Sequence, residues 1–330
     1  MRYLVLFSVV IAAVAASVIK DPTQGYKEGD RFFYFPGDGD GLIHLVDTKE
    51  FVDYEFIKRY TENPNNNGYW LFTRANPTTA QVIEMYNVDS LENSNFNSSN
   101  PVTVLAHGWK GHGLNSINRQ LTEAFLQHGD FNVFVLDWSQ LANRNYLTAK
   151  NGVPAVGRGL GQFLDWLVYW DASFNTMHLV GFSLGGHLVG SAGRETGAQV
   201  SRITALDPAR PLWGGEDRER IVQTDARYVE VIHTNIFNLG FTDSCGDADF
   251  YPNGGSGMPG CSTNSCSHGR AVDYMVASIR YDHFLANKCG TLTDATNDRC
   301  TGGLYPMGNS DLDKSGSGIF RVNTASIYPF

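Results

Sequence analysis

The chain has 330 residues, a formal net charge of −9, and 42% hydrophobic against 18% charged residues. An acidic surface repels polyphosphate backbones and anionic membranes, so a nucleic-acid partner is excluded and strong attachment to acidic bilayers is not favoured. That length and apolar content suffice for a large buried core, and no repeat or low-complexity tract interrupts them.

Residues 1–17 join a basic start at Arg2 to an apolar run and the small residues Ala12 to Ser17. This is the pattern of a secretory signal peptide cleaved near residues 15–17, and its apolar stretch is too short for a membrane span. Secretion and an extracellular location follow as expectations, with no stable membrane insertion. The remainder, 18–330, reads as one domain, because α/β folds often exceed the length at which two are expected. Asn/Ser-rich residues 92–100 include Asn97-Ser98-Ser99, a glycosylation sequon on an expected surface loop.

Apolar runs near residues 70–74, 102–106, 133–138, 178–181, 203–206 and 229–233 predict strands buried on both faces. Residues 115–127, 154–169 and 184–195 have helical length and spacing between them. The alternation predicts an α/β fold with a mostly parallel central sheet and helices on both faces. Trp166, Tyr169 and Trp170 are expected to pack such a helix on the sheet.

The run at 102–106 leads into His107-Gly108-Trp109. A His-Gly turn after an early strand can supply one backbone donor of an oxyanion hole, here the N–H of Trp109. The next motif is Gly181-Phe182-Ser183-Leu184-Gly185, which fits G-x-S-x-G. With a strand before it and a helix after it, this sequence predicts a sharp turn that lifts the Ser183 hydroxyl above the sheet, as in the α/β-hydrolase fold. Leu184 then supplies the second backbone donor. A nucleophilic serine needs a carboxylate and a histidine, which follow it in that order in this fold. Asp207 ends the apolar run Arg202–Leu206, and His268 stands at the entrance of a helical-looking segment beside Cys266. His187, on the helix leaving the turn, is expected to pack beneath it. His178 and His233 read as core or supporting residues, His128 as a solvated helix end, and His283 lacks a fixed loop.

The segments HGW, GFSLGGH, ALDPARPLW, VIHT, DFYPNGG, MPGC and CSHGRA, in that order, resemble the animal pancreatic-type lipase family. The resemblance implies that Ser183, Asp207 and His268 are nucleophile, orienting acid and base. It also implies disulfides Cys261–Cys266 and Cys289–Cys300, leaving Cys245, although Cys245 could instead take Cys261 or Cys266. Members of the family with a lid carry about twenty residues between two such cysteines, where this chain has only Ser262 to Ser265. The loop at 234–249 is short as well. Both departures look like the phospholipase A1 branch, including its insect members, and predict an open groove that needs no interface to open. The family's C-terminal β-sandwich is expected to be absent. Its calcium loop would fall at 216–225, where too few carboxylates remain, so neither a metal nor another cofactor is expected. The implied substrate is a glycerolipid at a membrane, micelle or droplet surface, acted on by a monomer; triglyceride and galactolipid are the alternatives. Relatives of another class, the insect yolk proteins, keep this fold for storage or lipid binding without catalysis.

Overall fold

Strands that are apolar on both sides must be covered on both sides. The computed structural model, which describes residues 21–214 and 217–330, shows what covers them. The expected signal peptide lies outside the described residues.

An antiparallel hairpin of β1 (Phe32–Pro36) and β2 (Ile43–Asp47) comes first and stands apart from the main sheet. Helix α1 (Tyr54–Thr61) leads to β3 (Gly68–Phe72), β4 (Gln81–Ile83) and the short α2 (Val88–Glu92). Next come β5 (Val102–Ala106), α3 (Ser116–His128), β6 (Asn132–Asp137), α4 (Ser139–Ala142) and α5 (Tyr146–Tyr169). They are followed by β7 (Met177–Phe182), α6 (Leu184–Glu195), β8 (Arg202–Leu206) and β9 (Val229–Ile232). The last elements are β10 (Ala248–Phe250), α7 (Asn264–Tyr281), β11 (Leu285–Cys289), α8 (Leu292–Thr296), β12 (Leu304–Pro306) and β13 (Gly318–Arg321).

Eleven strands form one sheet in the order β12-β11-β13-β10-β9-β8-β7-β5-β6-β3-β4. From β13 across to β6 every neighbouring pair is parallel, and the antiparallel pairs lie towards the two edges. Alternate side chains of each central strand enter two separate cores. Val104 and Leu136 pack with α5 and α6, whereas Leu105 and Val135 pack with α3 and α7. This is a single α/β-hydrolase domain, as the sequence predicts.

Two local expectations need correction. Helix α5 begins at Tyr146 rather than at Pro154, because the Asn145 side chain caps it, accepting the Thr148 N–H at 2.8 Å. Pro154 therefore lies inside the helix, where its missing N–H leaves one rung of the ladder unmade. Tyr169, the last residue of α5, is exposed, while Trp166 is buried and Trp170 packs in part against the core. Disulfides join Cys261 to Cys266 and Cys289 to Cys300, and Cys245 is a buried free thiol.

Candidate active site

Parallel sheets gather their functional groups at the carboxyl ends of the strands, and three strand ends converge here. Strand β7 runs directly into α6, and Ser183 at the junction takes φ 57° and ψ −119°. The flanking glycines permit this turn by close approach. A Cβ on Gly181 would lie 2.1 Å from the Gly185 carbonyl oxygen, and one on Gly185 would lie 2.3 Å from that of Ala106. No other residue type fits at either position.

Asp207 directly follows β8, and its Oδ1 accepts the backbone N–H groups of Thr234 at 2.7 Å and Asn235 at 3.0 Å. These two bonds leave Oδ2 facing His268 Nδ1 at 2.5 Å. An ionised carboxylate only accepts, so Nδ1 carries a proton, which in the neutral tautomer leaves the lone pair on Nε2. His268 lies inside α7 rather than in a loop before it. The helix starts at Asn264, where Thr263 Oγ1 accepts the Cys266 N–H at 3.2 Å. Of the four residues between Cys261 and Cys266, Thr263 caps the helix and Asn264 and Ser265 open its first turn, so the segment is not a flap.

Ser183 Oγ and His268 Nε2 are both buried and have no hydrogen-bond partner among the described residues. Both residues line one cleft of about 120 Å³, together with Pro36, Asp38, Trp109 and Ser265. Each is only 2% exposed. The expectation of an open groove is corrected at this point. Its side towards Cys261 and Cys266 is indeed short, but the tip of the β1–β2 hairpin forms another wall. Phe35 on β1 packs against Trp109 and Tyr146, and its ring centroid lies 5.8 Å from that of His268. A wider surface groove of about 740 Å³ runs beside α3, and none of Ser183, Asp207 or His268 lines it.

The turn after β5 is locked from several sides. The His107 ring stacks on Trp138, whose indole N–H donates to the His107 carbonyl at 3.0 Å. Trp109 is buried, with its indole N–H on the Arg144 carbonyl at 2.9 Å. Among the described residues, the backbone N–H groups of Trp109 and Leu184 have no acceptor. Two donors held near a serine hydroxyl and an imidazole can serve acyl transfer by stabilising an oxyanion.

Sequence reasoning missed Asp38. From the hairpin tip its Oδ2 accepts the Gly108 N–H at 2.7 Å, while its own N–H donates to the Trp109 carbonyl at 2.8 Å. It therefore holds both residues of the turn. Burial pushes its carboxyl above the ordinary value, against the pull of His107 and of the Gly108 N–H. The only signal was the Gly-Asp-Gly-Asp-Gly run at 37–41, which reads as an ordinary turn.

The remaining histidines stand elsewhere. His187 stacks on Trp213 with ring centroids 4.0 Å apart, beneath the serine turn. His178 bonds Thr204, and His233 bonds Asp249 within the core. His128 and His283 are exposed. Asp225, in the segment compared above with a calcium loop, is buried and paired with Arg194 at 2.7 Å.

A family model described as Lipase matches residues 48–310. The chain belongs to the lipase family. It is similar to pancreatic lipase-related protein 3 of Homo sapiens, at 33% identity over 80% of this chain and 64% of that one. It is also similar to lipase member H of Oryctolagus cuniculus, at 34% identity over 72% of this chain and 54% of the relative. Pancreatic triacylglycerol lipase of Equus caballus shares 32% identity over 71% of this chain and 57% of the relative. This lipase-family chain thus spans little more than half the length of the curated relatives it matches.

Proposed function

We propose that this protein is a serine esterase that cleaves carboxylic esters of glycerolipids, with phospholipase A1 activity at the sn-1 position. The observation that carries the reading is the strained turn at Ser183 facing the same cleft as the His268–Asp207 pair. In this mechanism the Ser183 Oγ attacks the ester carbonyl as its proton passes to His268 Nε2. Asp207 keeps the other ring proton on Nδ1 and stabilises the imidazolium that forms. The N–H groups of Trp109 and Leu184 receive the oxyanion. Collapse expels the lyso-lipid alkoxide, which takes the proton from His268. Water activated by the same imidazole then frees the acyl chain.

The headgroup assignment is supported by the short segment after Cys261, which leaves no apolar flap on that side of the cleft. Neutral lipase or galactolipase activity is the competing outcome. A non-catalytic, yolk-protein-like role is disfavoured because serine, acid and base all remain in place. Two disulfides fit an oxidising compartment, so secretion belongs to the proposal, with Asn97 exposed and available for a glycan. Among the described residues no helix is long and apolar enough to cross a membrane.

The test is twofold. A fluorophosphonate probe should label the wild type and not Ser183→Ala; no labelling of the folded protein, with the two indistinguishable, favours the binding role. Comparison of kcat/KM on sn-1-labelled phosphatidylcholine, monogalactosyldiacylglycerol and triolein then sets the substrate. Dominant triolein hydrolysis would replace the phospholipase assignment with a neutral lipase.

A further inference from the structure

The β1–β2 hairpin is apolar on both of its faces. Its register pairs Phe33 with Val46 and Phe35 with His44 on the inner side, where Phe33, Phe35 and Val46 are buried in the core. A hairpin with one buried face ordinarily turns polar side chains outward. Here the outward pairs are Phe32 with Asp47, Tyr34 with Leu45, and Pro36 with Ile43. Phe32 is 51% exposed and Leu45 54%, and Leu42 beside the tip is 60% exposed. Tyr34 and Ile43 are exposed with them.

We infer that this outer face is the surface by which the protein docks onto a zwitterionic phospholipid layer, placing the cleft mouth against its substrate. The inference rests on the glycerolipid reading above. Three observations select that occupant. The same hairpin supplies Pro36 and Asp38 to the cleft wall, so a layer touching the apolar row also touches the entrance to Ser183. Asp47, the one carboxylate within the outward pairs, is matched by Arg31 at 2.9 Å, and the carboxylates of Asp38 and Asp40 sit on the tip, bonded to the Gly108 N–H and the His44 ring, so the row itself presents little net charge. The chain as a whole carries −9, which disfavours an anionic layer and leaves a zwitterionic one. The Arg31 guanidinium, 4.7 Å above the Phe32 ring, can stay at headgroup level while the ring sinks.

The experiment uses vesicles of ether-linked phosphatidylcholine, which the protein cannot hydrolyse, so docking is read independently of catalysis. The doubly substituted Leu42→Ser, Leu45→Ser protein alters only exposed side chains. Its vesicle partitioning, read by sedimentation, should fall about tenfold or more. Its rate on a dissolved short-chain ester should equal that of the wild type, while its rate on ester-linked vesicles falls with partitioning. Unchanged partitioning overturns the inference. So does a wild-type dimer, seen by light scattering, that the substitutions dissociate, since the face would then cover a second copy. Vesicle binding by a wild type that hydrolyses no glycerolipid would sink the function above and leave the docking surface standing.

Discussion

Asp38 shows how one side chain can govern a site without touching a reacting atom. Its carboxylate and its own N–H grip Gly108 and Trp109, and so fix the peptide whose N–H is proposed to meet the oxyanion. Loss of an oxyanion donor costs about 10²–10³ in kcat, and a donor that is only loosened costs less. Asp38→Ala should therefore lower kcat by about tenfold to a hundredfold, with KM for a short soluble ester nearly unchanged. Asp38→Asn keeps an acceptor for the Gly108 N–H and should recover most of the rate. An equal loss in both variants would mean that the charge, not the grip, is what matters. A similar economy holds at Asp207, where two backbone N–H groups occupy one oxygen and aim the other at His268.

The elements around the site differ in how strongly they tie it down. Beneath the serine turn, His187 on α6 bridges to the stretch after β8. Its Nε2 faces the Ala209 carbonyl at 2.8 Å, and its Nδ1 accepts the Ile221 N–H at 3.2 Å. Only the neutral ring satisfies both contacts, and burial depresses its pKa to about 3. The unfolded chain, with an ordinary histidine pKa near ~6.5, takes up a proton that the folded state refuses. The stabilising contribution is thus complete above about pH 6.5 and is lost as pH falls towards 3. Melting temperatures of wild type and His187→Gln should therefore converge as pH drops from 7 to 4; a constant gap would remove this assignment. The central elements were legible because a strand covered on both faces is mostly apolar, as β5, β7 and β8 are. The hairpin and the three-residue strands β4, β10 and β12 were not, since so few residues carry no resolvable period. Asp207 and His268 were readable from order and setting. Asp38 was not, because its partner is 70 residues away and nothing local marks the contact. Pro154 misled the reading of α5 because a proline ordinarily opens a helix, and here the cap at Asn145 overrides it.

Across the molecule, the C-terminal stretch is bolted to the sheet by buried charge. Glu230 on β9 receives Lys314 at 2.5 Å and Arg202 of β8 at 3.2 Å, and the Arg202 guanidinium also donates to the Gly308, Asn309 and Asp311 carbonyls. A rigid frame of this kind lets one position be held where its backbone does not want to be. The φ of 57° at Ser183 is sparsely populated for any residue with a Cβ, and costs on the order of 1–3 kcal/mol. Glycine would relieve that, at roughly 0.5–1 kcal/mol of extra freedom in the unfolded chain. Ser183→Gly should thus be inactive yet melt no lower than the wild type, and about 2 °C higher if ~1 kcal/mol is recovered. A melting point several degrees lower would show that the hydroxymethyl group itself holds the turn together. The serine turn is then a place where the chain is less stable than its own fold would allow. Selection for thermal resistance alone, with no demand for turnover, would not keep the nucleophile.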